Sequence, residues 1–204
     1  MKIAVIIPYR EDRGFLKHAI DSVWRQTFRD FVLFTVNKPQ CLSKNFNYGL
    51  GLANEHGCDF LKMLCDDDML TDTALEDLYN GIYPSGDICI SNAINFTELR
   101  EDEVKSRYTG VKDLLADNTI HGGTCLYSVK KLNEVNGMRE DLITGEEFDL
   151  NVRIMKSGGK IKYVDKITYK YRIHYKQKSL NHLDFESMVQ RKEYIKNNII
   201  NAYI

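Results

Sequence analysis

The sequence predicts an α/β domain with a mainly parallel central sheet flanked by helices. Two patterns carry that expectation. A short continuous apolar run at 3–7 is expected of a strand buried on both faces, and further strands rich in apolar residues follow at 31–36 and 60–64. Between them lie segments whose apolar residues repeat at helical spacing, bounded by glycine, proline, serine, threonine or asparagine.

The elements follow in order. Strand 3–7 ends at Pro8, which has no N–H for a neighbouring strand. After Gly14, the residues Phe15, Leu16, Ala19, Ile20, Val23 and Trp24 share one helical face. A second strand covers 31–36, and Ser43 is the expected cap of a helix carrying Phe46, Leu50 and Ala53. The third strand, 60–64, runs directly into Cys65, Asp66, Asp67 and Asp68. Thr71 is the expected cap of the next helix, which passes through Leu75 and Leu78 and stops at Asn80 and Gly81. The second half is more mixed. It holds a strand at 87–96, then a polar irregular stretch at 98–118 with a helical piece at Val111–Ala116. Gly122 and Gly123 open a strand at 124–127. Ser128 then caps a helix that runs through Leu132 and Val135 to Asn136 and Gly137. A helix over Glu146–Lys156 stops at Ser157, Gly158 and Gly159, and 160–175 predicts two strands rich in Ile, Val and Tyr. The tail at 184–200 is amphipathic, with Phe185, Met188, Val189, Ile195 and Ile199 on one side. The expected organisation is one main domain, 1–180, with a C-terminal amphipathic helix, 181–204, packed on it.

Composition narrows the function classes. A chain of 204 residues suits one domain with a sizeable core, and 43% hydrophobic with 28% charged residues suits a soluble globular protein. With 28 basic and 29 acidic residues the formal net charge is -1, so no general field draws in nucleic acid or an anionic membrane. Lys176 and Lys178 near Arg172 form a candidate local basic patch. The five cysteines, at 41, 58, 65, 89 and 125, are odd in number and lack C-x-x-C spacing, as expected of free thiols in a reducing cytoplasm. The opening apolar run is too short for a signal segment, and no stretch is apolar enough to span a bilayer. A cytoplasmic protein is therefore expected.

The sharpest site signal is Asp66, Asp67 and Asp68, placed where an apolar strand ends. Adjacent carboxylates repel one another unless water or a cation screens them, and strand ends are where open α/β sheets bind ligands. Hard oxygen ligands suit Mg2+ or Mn2+, which in turn grip phosphate. A solvated acidic turn, with Asp68 or Thr71 capping the next helix, explains the triplet equally well. Glu146, Glu147 and Asp149, followed by Arg153, form a second acidic cluster. Read alone, it is a helix start that complements the dipole, with Asp149 paired to Arg153 at i,i+4. The third signal is Tyr171, Arg172, Ile173 and His174. There a histidine is either a satisfied strand residue or a metal ligand, and Arg172 faces phosphate or carboxylate. Phosphate-loop, dinucleotide, H-E-x-x-H and G-x-S-x-G motifs are absent from the sequence.

Taken in order, these pieces resemble the family 2 glycosyltransferases. The matching stretches are 6–11; Leu16 with 19–27; Ser43, Lys44 and Asn45 through Gly49; and 64–68 at the D-x-D metal motif. Further on, 123–138 matches the acceptor-side strand and helix, 146–154 the E-D-x-D-L-x-x-R element, and 171–174 the closing Y-R-x-H. The resemblance covers roughly 1–180 and implies the GT-A fold. It implies transfer of a sugar, with inversion, from a nucleotide diphosphate donor, with UDP as the expected nucleotide and Mn2+ or Mg2+ as cofactor. It assigns the metal to Asp68 with Asp66 and His174. The nucleotide falls to Pro8, Tyr9, Glu11, Asn37, Lys44, Asn45, Asp66 and Asp67. Glu147 becomes the general base, with Glu146 as the alternative.

Three departures stand out. Val36, Asn37 and Lys38 replace the family's usual aspartate pair, and Ser43 follows closely. Either Asp66 with Asp68, or Asp67 with Asp68, can make the metal motif. Glutamate at 147 stands where the family has aspartate. The expected acceptor is a glycan or lipid-linked sugar, with a protein or a modified DNA base as alternatives. A nucleotidyltransferase would carry a glycine- and lysine-rich loop after the first strand, which residues 8–13 lack. A non-catalytic sugar-nucleotide or glycan-binding module is the rival from another class.

Overall fold

The computed structural model describes residues 1–38, 41–97, 99–106, 110–116, 120–175, 177 and 185–203, the side chains of 111, 113 and 185–188 aside. The first half comprises β1 (Ile3–Tyr9), α1 (Leu16–Trp24), β2 (Phe31–Asn37), α2 (Leu42–Glu55), β3 (Phe60–Met63), β4 (Met69–Leu70) and α3 (Ala74–Ile82). The second comprises β5 (Ile88–Phe96), β6 (Glu101–Val104), α4 (Val111–Ala116), a 3-10 turn (Gly122–Thr124), β7 (Leu126–Ser128), α5 (Val129–Glu134), α6 (Glu146–Lys156), β8 (Ile161–Arg172), α7 (Phe185–Asn198) and a closing 3-10 turn (Ile200–Ala202).

The strands form one sheet in the order β2-β1-β3-β7-β5-β8-β4, with β6 added beside β5. The long ladders are parallel: β1 with β2, β1 with β3, and β5 with β8. Short antiparallel pairs join the halves through β7 and close the edges at β4 and β6. The expectation of a mainly parallel sheet with flanking helices therefore holds.

Each apolar strand feeds two cores because alternate side chains point to opposite faces. Ala4, Ile6, Leu61 and Met63 pack with Phe46 and Leu50 of α2 and with Leu150, Val152 and Ile154 of α6. Ile3, Val5, Ile7, Phe60 and Leu64 pack with Ala19 and Val23 of α1 and Leu75, Leu78 and Ile82 of α3. Burying each of the larger side chains among these is worth roughly 1.5–3 kcal/mol. Gly49 lets α2 sit directly on β1, since a Cβ there would stand 2.8 Å from Ile6.

The structure corrects several local expectations. The helix cap before α2 is Cys41, and Ser43 lies buried inside the helix. Thr73, not Thr71, precedes α3; Thr71 instead donates its hydroxyl to Ile167 O at 2.9 Å, tying α3 to β8. That helix runs past Asn80 and Gly81 to Ile82; Gly81 is there a packing glycine inside the helix, set against Val164 and Cys89 where a side chain would clash. Residues 160–175 give one long strand, β8, whose register slips against β5 around Asn92 rather than breaking. Trp24, at the end of α1, is 60% exposed and rests on Phe31. In α7, Val189 is exposed while Ile195 packs against the core, and Ile199, just past the helix, is fully buried there. Phe185 and Met188, and the Lys176 and Lys178 of the basic patch, lie outside the described side chains. The five cysteines are free thiols. Among the described residues, no helix is long and apolar enough to cross a membrane.

Candidate active site

The acidic triplet forms the turn between β3 and β4. There the chain leaves the middle of the sheet and crosses to β8, where Met69 pairs with Lys170. Leu64 N still bonds Ile6 O at 2.9 Å, so the turn starts from a fixed point. Three different surroundings then separate the aspartates. Asp66 accepts from Arg13 Nη2 at 2.9 Å, and burial raises its carboxyl despite that partner. Asp67 accepts from the same Arg13 nitrogen at 2.9 Å and lies 3.1 Å from His174 Nε2. Asp68 is almost fully buried. It accepts from Tyr169 Oη at 2.6 Å and from Arg172 N at 2.8 Å, yet burial and then Asp67 push its carboxyl up to about 8.

The donor atoms of Cys65, Asp67 and Asp68 lie within 4.8 Å of one another. Asp66 and His174, expected as ligands, fall outside this group. Arg13 holds Asp66 and Asp67 alike, but only Asp67 also reaches the Cys65 and Asp68 donor atoms, and His174 leans on Asp67 with its ring against Phe15 at 4.8 Å. The geometry thus pairs Asp67 with Asp68 rather than Asp66 with Asp68. The two carboxylates fit a hard divalent cation, since an opposing charge would offset the burial that drives the Asp68 carboxyl up. Cys65 fits it poorly: burial raises its thiol well above the ordinary range, and a neutral sulfur is a soft ligand.

These groups open onto a cleft with two lobes, of about 830 and 550 Å³, that share Cys65, Asp68, Glu147, Tyr171 and Arg191. The far wall is the start of α6. Gly145 takes φ 79°, a left-handed turn that glycine tolerates, and Glu146, Glu147 and Asp149 occupy the first turn of the helix. Asp149 is fully buried and pairs with Arg153 at 2.7 Å, as the spacing predicts, and also with Arg139 and Tyr203 Oη. Glu147 is half-buried, its carboxyl packed over Gly122. Burial and then Glu146 push it up to about 7. Glu146 is buried and lines only the smaller lobe.

Of the nucleotide-side residues expected from the sequence, Asp67 lines the smaller lobe, whereas Pro8, Tyr9, Glu11, Asn37, Lys44, Asn45 and Asp66 line neither. Pro8 and Tyr9 end β1, and Tyr9 pairs in register with Asn37 at the end of β2. Glu11 and Lys44 are exposed, while Asn45 is buried and donates to Lys38 O at 3.3 Å. Four residues escaped the sequence reading. Arg13 clamps two aspartates, Tyr169 bonds the third, and His121 lines the cleft, kept neutral by burial that lowers it to about 4. The fourth, Lys62, lies fully buried beneath the cleft. A charge inside the apolar run 60–64 was the one signal that pointed to it.

No family model matches the sequence, and no curated protein matches it in sequence. Solved structures do match in shape. Staphylococcus aureus TarS 1-349 in complex with UDP-GlcNAc superposes with a TM-score of 0.71 at 14% identity, covering 97% of this chain and 67% of that one. The same protein in complex with UDP gives 0.66 at 15% identity, covering 97% and 66%. The mannosyltransferase PcManGT from Pyrobaculum calidifontis, in complex with GDP-Man and Mn2+, gives 0.62 at 11% identity, covering 88% and 59%. The chain spans about two thirds of the TarS 1-349 chain and 40% of a longer TarS chain. An acidic turn at a strand end, facing a carboxylate-bearing helix start across a cleft, is thus set in the GT-A fold.

Proposed function

We propose that this chain is a metal-dependent glycosyltransferase that moves a sugar from a nucleotide diphosphate to an acceptor hydroxyl, inverting the anomeric centre. One observation carries the reading. The buried Asp68, beside Asp67, opens into the same cleft as Glu147, whose carboxyl is raised to about 7. One carboxylate pair suits a cation and its diphosphate, and the other wall suits a proton acceptor. The likeness in fold to proteins solved with UDP-GlcNAc, with UDP, and with GDP-Man and Mn2+ supports it.

In this reading Asp67 and Asp68 hold Mn2+ or Mg2+, which when bound offsets the negative charge growing on the departing diphosphate. Asp66 and Arg13 set the shape of the turn, and His174 with Arg172 orients Asp67. Pro8, Tyr9, Glu11, Asn37, Lys44 and Asn45 form the nucleoside side at the ends of β1 and β2, where uridine is the expected base. Glu147 takes the proton of the acceptor hydroxyl while the hydroxyl oxygen attacks the anomeric carbon and the bond to the diphosphate breaks. A group titrating near neutrality suits that exchange. Glu146 supports it from the smaller lobe. The acceptor is a glycan or a lipid-linked sugar, reached through the larger lobe.

The test is turnover of a panel of nucleotide sugars with Mn2+, alone and with acceptor glycans. Asp68→Ala and Glu147→Gln should each abolish transfer while keeping a cooperative melt. Full activity in both would defeat the assignment. Binding of a nucleotide sugar with neither hydrolysis nor transfer would favour a non-catalytic binding module.

A further inference from the structure

Lys62 lies in the middle of β3, wholly buried on the sheet face that Phe60 and Leu64 otherwise make apolar. Taking an ammonium out of water costs several kcal/mol unless its protons are met, and a methionine would fill similar space without that cost. The protons are met by one small region. Nζ donates to Gly123 O in a short contact and to Cys125 O at 3.3 Å, and it stands 5.1 Å from the Tyr169 ring centroid. Being sealed from the cleft, Lys62 touches no substrate.

The region it holds carries both halves of the site. Gly122 lies directly under the Glu147 carboxyl, so closely that a Cβ there would collide with it. Gly123 lies equally close to the Tyr169 ring, whose hydroxyl donates to Asp68 at 2.6 Å. We infer that Lys62 is a positioning residue, pinning the Gly122–Thr124 turn and the Tyr169 ring from below so that Glu147 and Asp68 stay aligned across the cleft. The inference rests on the transferase reading of that cleft.

Charge acts in the same direction. The charged groups facing Glu147 are Glu146 of its own helix, which raises it, and Lys62 of β3 and Arg191 of α7, which lower it. Burial lowers Lys62 to about 8, against the pull of Cys125, Cys65, Glu147 and Asp68, so its protonated form predominates at pH 7.

Two variants separate geometry from charge. Lys62→Gln keeps a donor for the turn carbonyls and removes the charge, whereas Lys62→Met removes both. In metal-free protein, the carboxyl 13C signal of Glu147, assigned by its loss in Glu147→Gln, should titrate about one pH unit higher in both variants. With Mn2+ and a nucleotide sugar that the wild type turns over, Lys62→Met should lower kcat roughly tenfold or more, with donor KM within about twofold. Lys62→Gln should lose less. A folded Lys62→Met protein with wild-type kcat and an unmoved Glu147 titration overturns the inference. So does one that no longer melts cooperatively, which would make Lys62 a purely structural residue. If the wild type turns over no nucleotide sugar, the transferase reading fails on its own. The metal-free titration then decides for Lys62: a shift supports its coupling to Glu147, and no shift overturns it.

Discussion

Asp68→Asn removes the charge from the most buried carboxylate of the acidic turn while keeping its shape. Asp68 is 1% exposed, and burial followed by Asp67 lifts its carboxyl from 3.8 to about 8. Because the folded value is the higher one, stability from this group is complete below pH 3.8 and is lost as pH rises towards 8. At 1.36 kcal/mol per pH unit, the metal-free protein at pH 7 carries a penalty on the order of 4 kcal/mol. Asparagine escapes it and keeps both partners. Its oxygen can accept from Arg172 N and its amide can donate to Tyr169 Oη, in place of bonds of 2.8 and 2.6 Å. For a chain of this size, that predicts a melting midpoint about 8 °C higher than wild type in EDTA at pH 7, with the gap closing towards pH 4. Mn2+ should reverse the order by raising the wild type and leaving Asp68→Asn unmoved. Scanning fluorimetry from pH 4 to 8, with EDTA or Mn2+, measures all of this. Equal midpoints at every pH, or a Mn2+ response kept by the variant, would refute the reasoning.

Two more outcomes follow from the same cleft. Since the base works in its ionised form and Glu147 is raised to about 7, kcat/KM should fall below that pH with unit slope; a profile flat from pH 5.5 to 8 would remove Glu147 as the base. Gly123→Ala drives a Cβ into the Tyr169 ring, so a loss of about 1–3 kcal/mol in urea unfolding and a weaker Mn2+ response are expected. Wild-type stability and metal response in that variant would show that the turn tolerates displacement.

Much of the frame was legible because it rests on local pattern. The buried strands announce themselves as apolar runs, and the acidic triplet stands where one of them ends. The bland reading of Asp149 and Arg153 also proved correct at 2.7 Å, since i,i+4 spacing brings such pairs together on any helix. The caps were less legible. Ser43 and Thr71 look like helix starts, but burial inside α2 and a tie to β8 claimed them instead.

The sequence by itself determined the class of sheet, the acidic strand end and the carboxylate-rich helix start, because each depends on neighbours a few residues away. Only the tertiary structure decided how the aspartates divide. Arg13 reaches Asp66 and Asp67 across 53 and 54 residues, and Tyr169 reaches Asp68 across 101. It also decided that Lys62 is core rather than surface. Whether a charge is screened, paired or buried depends on what the folded chain packs against it, and spacing along the chain does not encode those distant partners.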